Sequence, residues 1–96
     1  MTVYVDDMYR TAMGRFRHMK MSHMIADSTD ELLAMADRIG LKRKWLQKAG
    51  TADEHFDIGM GLRAKAVAAG AVEITMRELQ RRCAARRSAT THEQSN

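Results

Sequence analysis

S-H-M-I-A-D-S-T-D-E-L-L-A-M-A-D-R-I-G, residues 22–40, carries a strand-like run, a helix start, an amphipathic face and a helix stop in unbroken succession. Ser28 and Glu31 have the spacing of a capping box, in which hydroxyl and carboxylate satisfy backbone amides at a helix start. A helix is therefore expected from Thr29. Leu32, Leu33, Met35, Ala36 and Ile39 recur on one helical face, while Asp30, Asp37 and Arg38 lie off it. Gly40 supplies a left-handed stop, with Leu41 placed to fold back on the last turn. Just upstream, His23 and Asp27 bracket Met24, Ile25 and Ala26, so two chemically capable side chains sit on a short strand leading into the helix.

Around that stretch the whole chain has 96 residues, enough for one small domain with a modest core and one site. Its longest apolar runs fall far short of the ~20 residues a membrane span needs. The start, Met1 to Val5, runs directly into Asp6 and Asp7, which does not read as a secretory signal. A single cysteine, Cys83, has no partner for an internal disulfide, so a reducing cytoplasm is the expected compartment. Sixteen Lys and Arg against twelve Asp and Glu give a net charge of +4. The basic residues cluster around Arg10 to Lys20, Lys42 to Lys48 and Arg81 to Arg87, groupings that can meet phosphate or simply answer helix dipoles. Phe16 is the one aromatic interleaved with the first cluster, which argues against a base-stacking platform.

Read in order, Val3, Tyr4 and Val5 form a short β-favouring run closing on Asp6 and Asp7, of which only one can face the same side as His23. Residues 8–21 show no clear period and read as an irregular arm in which Met8, Met13, Met19 and Met21 either fill gaps or offer an adaptable surface. Trp45 and Leu46 suggest a short strand or edge segment, and residues 49–54 a polar loop. The alternation His55-Phe56-Asp57-Ile58 places His55 and Asp57 on one face if extended. A second helix is expected over Leu62 to Ala69, stopped by Gly70, then a strand within residues 71–75. Thr75 and Glu78 repeat the capping-box spacing and open a third helix through about Arg87. Residues 88–96 are almost devoid of apolar side chains and read as a disordered tail.

Strands alternating with helices predict a single α/β domain over residues 1–87, with three helices and a mostly parallel sheet of about four short strands. In such sheets ligands sit beyond the C-terminal strand edges. Asp6 or Asp7, Asp27 and Thr75 are expected to converge there.

Four segments carry a family resemblance: M-T-V-Y-V-D-D at the start, H-M-I-A-D with E-L and A-x-x-x-G between His23 and Gly40, H-F-D at His55 to Asp57, and R-A-x-A-x-x-A-G-A from Arg63 to Ala71. Together they resemble the bacterial and phage domain-of-unknown-function family four-zero-three-one, over roughly residues 1–78. The resemblance implies a small stand-alone domain, often phage-encoded, with no established activity. It matches the polar positions Asp6, His23, Asp27, Glu31, His55, Asp57 and Arg63. Leu33 stands where the family often has His, Leu62 where it has a basic residue, and Phe56 where Tyr is usual.

His23, His55 and Asp57 are the candidate catalytic residues, and Asp6, Asp27, Arg63 and Thr75 the candidate ligand-binding ones. Two His with Asp side chains can hold a divalent metal that polarises a phosphoryl group, with Arg63 neutralising phosphate. Without metal, an Asp-oriented imidazole can act as general acid or base. Taken singly, such residues most often satisfy loop amides and helix caps. The expected function is binding of a nucleotide or nucleic acid through its phosphate, with phosphodiester hydrolysis within reach. The alternative is a non-enzymatic accessory protein that docks a host protein or nucleic acid through the basic, Met-rich arm.

Overall fold

The computed structural model describes residues 2–16 and 19–94; Met1, Arg17, His18, Ser95 and Asn96 lie outside it. The central strand is β3, Met19–Ala26, eight residues whose alternate side chains serve opposite faces of the sheet. It pairs antiparallel with β1 (Val3–Val5), with β2 (Arg15–Phe16) in a short hairpin, and with β4 (Phe56–Gly59). β5 (Val72–Glu73) joins β1 in parallel.

The sheet is therefore mixed rather than mostly parallel. The expectation failed at the first connection: residues 8–14 form two tight 3-10 turns instead of a crossover helix, so β3 returns antiparallel beside β1. Only the unit from β4 through α2 (Met60–Ala68) to β5 behaves as a crossover. The arm at 8–21 is likewise more regular than its sequence suggests, since its last residues, Met19 to Met21, already belong to β3.

α1 spans Thr29–Ile39, as the capping signals require. The Ser28 hydroxyl oxygen accepts the Glu31 amide at 3.2 Å, but the Glu31 carboxylate takes the Ser28 hydroxyl at 3.0 Å rather than its amide. At the other end Gly40 adopts φ +82°, and Leu41 donates its amide to Ala36 O at 2.8 Å, closing a Schellman turn. Ser28→Ala is expected to lower stability by about 1 kcal/mol, read as a reduced urea midpoint with unchanged slope.

Val3, Val5, Met24, Ala26, Phe56 and Ile58 point to the face covered by α1 and α2, where they meet Leu32, Met35, Ala36, Ile39 and Ala66. Phe56, Met24, Leu32, Ile58 and Val5 are fully buried, each contributing roughly 1.5–3 kcal/mol of transfer free energy. The opposite face is covered only in part. There Tyr4 and Ile25 pack against Leu79 and Cys83 of α3 (Met76–Gln94). The remainder of that face is where His23 lies.

Three other boundaries differ from the sequence reading. Arg43–Trp45 is a 3-10 turn, because Trp45 and Leu46 donate their amides to Lys42 and Arg43 rather than to a strand. α2 begins at Met60 directly after extended Gly59, with Gly61 inside the helix. α3 runs on through residues 88–94, helical where composition suggested disorder.

Glu54 ties these layers together. Its side chain is fully buried and accepts the Thr29 hydroxyl at 2.5 Å, Arg86 Nη2 at 2.8 Å and the Gly50 amide at 3.0 Å. The start of α1, the 49–54 loop and α3 thus share one carboxylate. Burial would raise its pKa, but the hydrogen bonds from Thr29, Arg86 and Gly50 and the Arg86 charge outweigh it, leaving the carboxyl below its ordinary value.

Candidate functional site

The antiparallel register of β3 and β4 sets His23 directly opposite Asp57. His55 lies two residues before Asp57 and is held extended by a bridge to Gln47, with His55 N to Gln47 O 3.1 Å and the return bond 2.9 Å. Period-two alternation then puts all three side chains on one face. Their rings and carboxylate converge: the imidazoles stand edge to face with centroids 5.2 Å apart. Asp57 Oδ1 is 3.8 Å from His23 Nε2 and 3.6 Å from His55 Nε2.

Each of the three is steadied from behind. Asp6 extends the β1 ladder, donating its amide to His23 O at 3.1 Å, and its own carboxylate is wholly buried. Oδ2 lies 2.7 Å from His23 Nδ1, while Oδ1 accepts the amides of His23 at 2.9 Å and Met8 at 3.1 Å. His55 Nδ1 lies 2.9 Å from the Asp53 carbonyl oxygen. Gln47 Nε2 donates to Asp57 Oδ2 at 2.7 Å. A carbonyl and an ionised carboxylate can only accept, so both histidines carry a proton on Nδ1 and present Nε2 to Asp57 Oδ1. The hydrogen bond to Asp6 raises the His23 pKa; partial burial opposes this, and the charges of Asp6 and Asp57 add to it.

Two cavities adjoin the cluster. One, of about 430 Å³, is lined by His23, His55, Lys48, Gln80, Cys83 and Arg87. Lys48 sits in the left-handed region at φ 53°, uncommon for a residue with a side chain, and Arg87 reaches Asp53 at 2.5 Å. Cys83 is buried, and burial pushes its thiol pKa up despite the lowering influence of Arg87, Arg86 and Lys48. It is a packed thiol rather than an activated one. On the other side, an apolar groove of about 860 Å³ runs from His23 and Asp57 past Met8, Met21, Trp45 and Leu62. Met13 and Met19 on its rim are exposed, at 74% and 53%.

His23, His55, Asp57 and Asp6 are thus brought together. The other sequence candidates are elsewhere. Because β3 runs antiparallel to β1, Asp27 lies at the far end of the sheet, accepting Thr2 N at 3.0 Å and Tyr4 OH at 3.4 Å. Thr75 caps α3 through its 3.1 Å bond from the Glu78 amide, and Asp7 caps the same helix by accepting Met76 N at 3.0 Å. Arg63 comes from α2 and is buried: it donates to Asp6 O at 3.1 Å and Glu73 at 2.8 Å, with Tyr9 stacked 4.7 Å away. It braces the Asp6 backbone instead of facing the imidazoles.

Sequence reasoning missed Gln47 and Asp53, and singled out Lys48 and Arg87 only as members of basic clusters able to meet phosphate. Gln47 reaches the site through its bridge to His55 and its side-chain bond to Asp57, and Asp53 through its backbone carbonyl and its pairing with Arg87; none of these relations leaves a mark in the spacing.

Fold and cluster together define a small α/β domain with two histidines and one carboxylate converging on the open face of a mixed sheet. The chain belongs to the family described as protein of unknown function, DUF4031, whose model matches residues 3–86. That match reaches into α3, beyond the segments that carry the resemblance. No curated protein and no solved structure matches it. Among the described residues no helix is long and apolar enough to cross a membrane.

Proposed function

We propose that the protein binds a phosphate-bearing ligand, a nucleotide or nucleic acid, in the cavity shared by His23, His55, Lys48 and Arg87. The observation that carries the reading is the meeting of two Nδ1-anchored imidazoles with two cationic side chains at one opening. Lys48 and Arg87 supply positive charge for phosphate oxygens, and the histidines supply the groups that hydrolysis of a phosphodiester requires. Arg63 contributes from behind, through Asp6.

A thermal-shift screen of mononucleotides, dinucleotides and short oligonucleotides tests it. A ligand present at a hundredfold its Kd adds about 2.7 kcal/mol of apparent stability. For a domain of this size that is a rise of roughly 10 °C or more. The shift is expected in wild type and lost in a Lys48→Ala, Arg87→Ala double variant that still melts cooperatively. A shift retained in that variant sinks the reading.

The exposed Met13 and Met19 beside Trp45 favour a second reading, docking of a host protein along the apolar groove. An empty phosphate screen, with the groove variants Met13→Ser and Met19→Ser losing a partner that wild type retains, would move the function there.

A further inference from the structure

We infer that His23 Nε2, His55 Nε2 and Asp57 Oδ1 are the protein ligands of a divalent transition-metal ion. The inference deepens the proposed phosphate site, since such an ion would stand where the cavity and the groove meet, and it rests on that reading only for the ion's purpose.

The three candidate ligand atoms all lie within 4.8 Å of one another. An ion with bonds of about 2.0–2.2 Å holds neighbouring ligand atoms roughly 3 to 3.5 Å apart; Asp57 Oδ1, at 3.6 and 3.8 Å, is within a few tenths of an ångström of that from each imidazole, and the two histidine nitrogens, within 4.8 Å, close by rotation of their rings. The three atoms face one another, and none takes a hydrogen bond from a described residue. When the rings are neutral, two lone pairs and a carboxylate oxygen form a negative pocket that a cation fills.

The outer contacts have the form that metal sites use. A ligating histidine commonly gives its other N–H to a carboxylate or a backbone carbonyl, and a ligating carboxylate is itself hydrogen-bonded. Here Asp6 serves His23, the Asp53 carbonyl serves His55 and Gln47 serves Asp57. The ligands stand on two directly paired strands, which fixes their relative height. Two nitrogens and one oxygen select a borderline ion such as Zn²⁺, Co²⁺, Ni²⁺ or Fe²⁺ over Mg²⁺ or Ca²⁺, which prefer oxygen alone. Three protein ligands leave further positions open for water and a phosphate oxygen, the arrangement of a catalytic rather than a structural site.

The test is a Co²⁺ titration of the full, chelator-stripped chain, read by visible absorption and by equilibrium dialysis, with no phosphate ligand present. One Co²⁺ per chain is expected, with d–d bands, competed away by Zn²⁺ and not by Mg²⁺. Asp57→Asn, a half-exposed position where the fold should survive, and His55→Gln are each expected to weaken binding tenfold or more while circular dichroism is retained. Failure of folded wild type to bind Co²⁺, or binding that persists unaltered in both ligand variants, overturns the inference. Nucleotide shifts that persist in chelator alongside such a failure would leave the phosphate reading standing. Co²⁺ binding at these residues with no nucleotide effect would uphold the metal site and sink the phosphate reading.

Discussion

Replacing Glu54 by Ala is expected to cost about 3 kcal/mol of stability at neutral pH, out of the roughly 5–15 kcal/mol a domain possesses. The carboxylate has no exposed surface and three partners, from α1, the 49–54 loop and α3. Its removal strips the Thr29 hydroxyl and the Gly50 amide of their acceptor and leaves a cavity at the junction of the layers. Losing a buried hydrogen-bonded charge partner is among the costliest single changes, well above the about 1 kcal/mol expected at the Ser28 cap. Urea denaturation measures it, and a loss under about 1 kcal/mol would show that the junction is wet and adaptable.

The same group predicts a pH dependence. Its folded pKa lies below the ordinary carboxylate value, so its contribution is present above the unfolded pKa, about 4.3, and is lost as pH falls through the folded one. Wild type should therefore lose more stability than Glu54→Gln between pH 6 and about pH 3.

Asp6→Asn is expected to leave the chain folded and yet reverse the His23 tautomer. Two backbone amides, from Met8 and His23, demand an oxygen acceptor at the position of Oδ1. A carboxamide has one oxygen, so its amino group must take the place of Oδ2, 2.7 Å from His23 Nδ1. That nitrogen can then only accept, and the ring proton moves to Nε2. The atom that faces Asp57 changes from a lone pair to a donor. Long-range proton–nitrogen correlation spectra report this directly: wild type should show Nδ1–H at neutral pH, and the variant Nε2–H. Co²⁺ affinity should fall 10–100-fold in step, the usual cost of losing an outer-sphere partner. An unchanged tautomer would show that Asp6 serves the backbone alone. Stability would fall under either outcome, and for that reason the tautomer is the deciding readout.

Local signals were read faithfully wherever the physics is local. The capping residues around Ser28, the left-handed stop at Gly40 and the alternation His55-Phe56-Asp57-Ile58 each involve neighbours within a few positions, and each formed as expected. The pairing of His55 with Asp57 on one face was legible for the same reason. A mostly parallel sheet would bring Asp27 and Thr75 to one strand edge, whereas Arg63 entered through the family resemblance and its capacity to neutralise phosphate. One tight connection between β1 and β3 reversed the central strand and carried Asp27 to the opposite end.

By itself the sequence determined the class of domain, the bounds of the first helix, the family, and a histidine–carboxylate pair on the strand that became β4, since each rests on short-range periodicity, capping or ordered motifs. Only the tertiary structure decided that the sheet is mixed, that His23 stands opposite Asp57, and that Asp6, Gln47 and Asp53 steady the three converging atoms. Those relations join residues as many as 34 positions apart, as His23 and Asp57 are, and cross-strand register is set by packing of whole faces. No spacing along the chain encodes it.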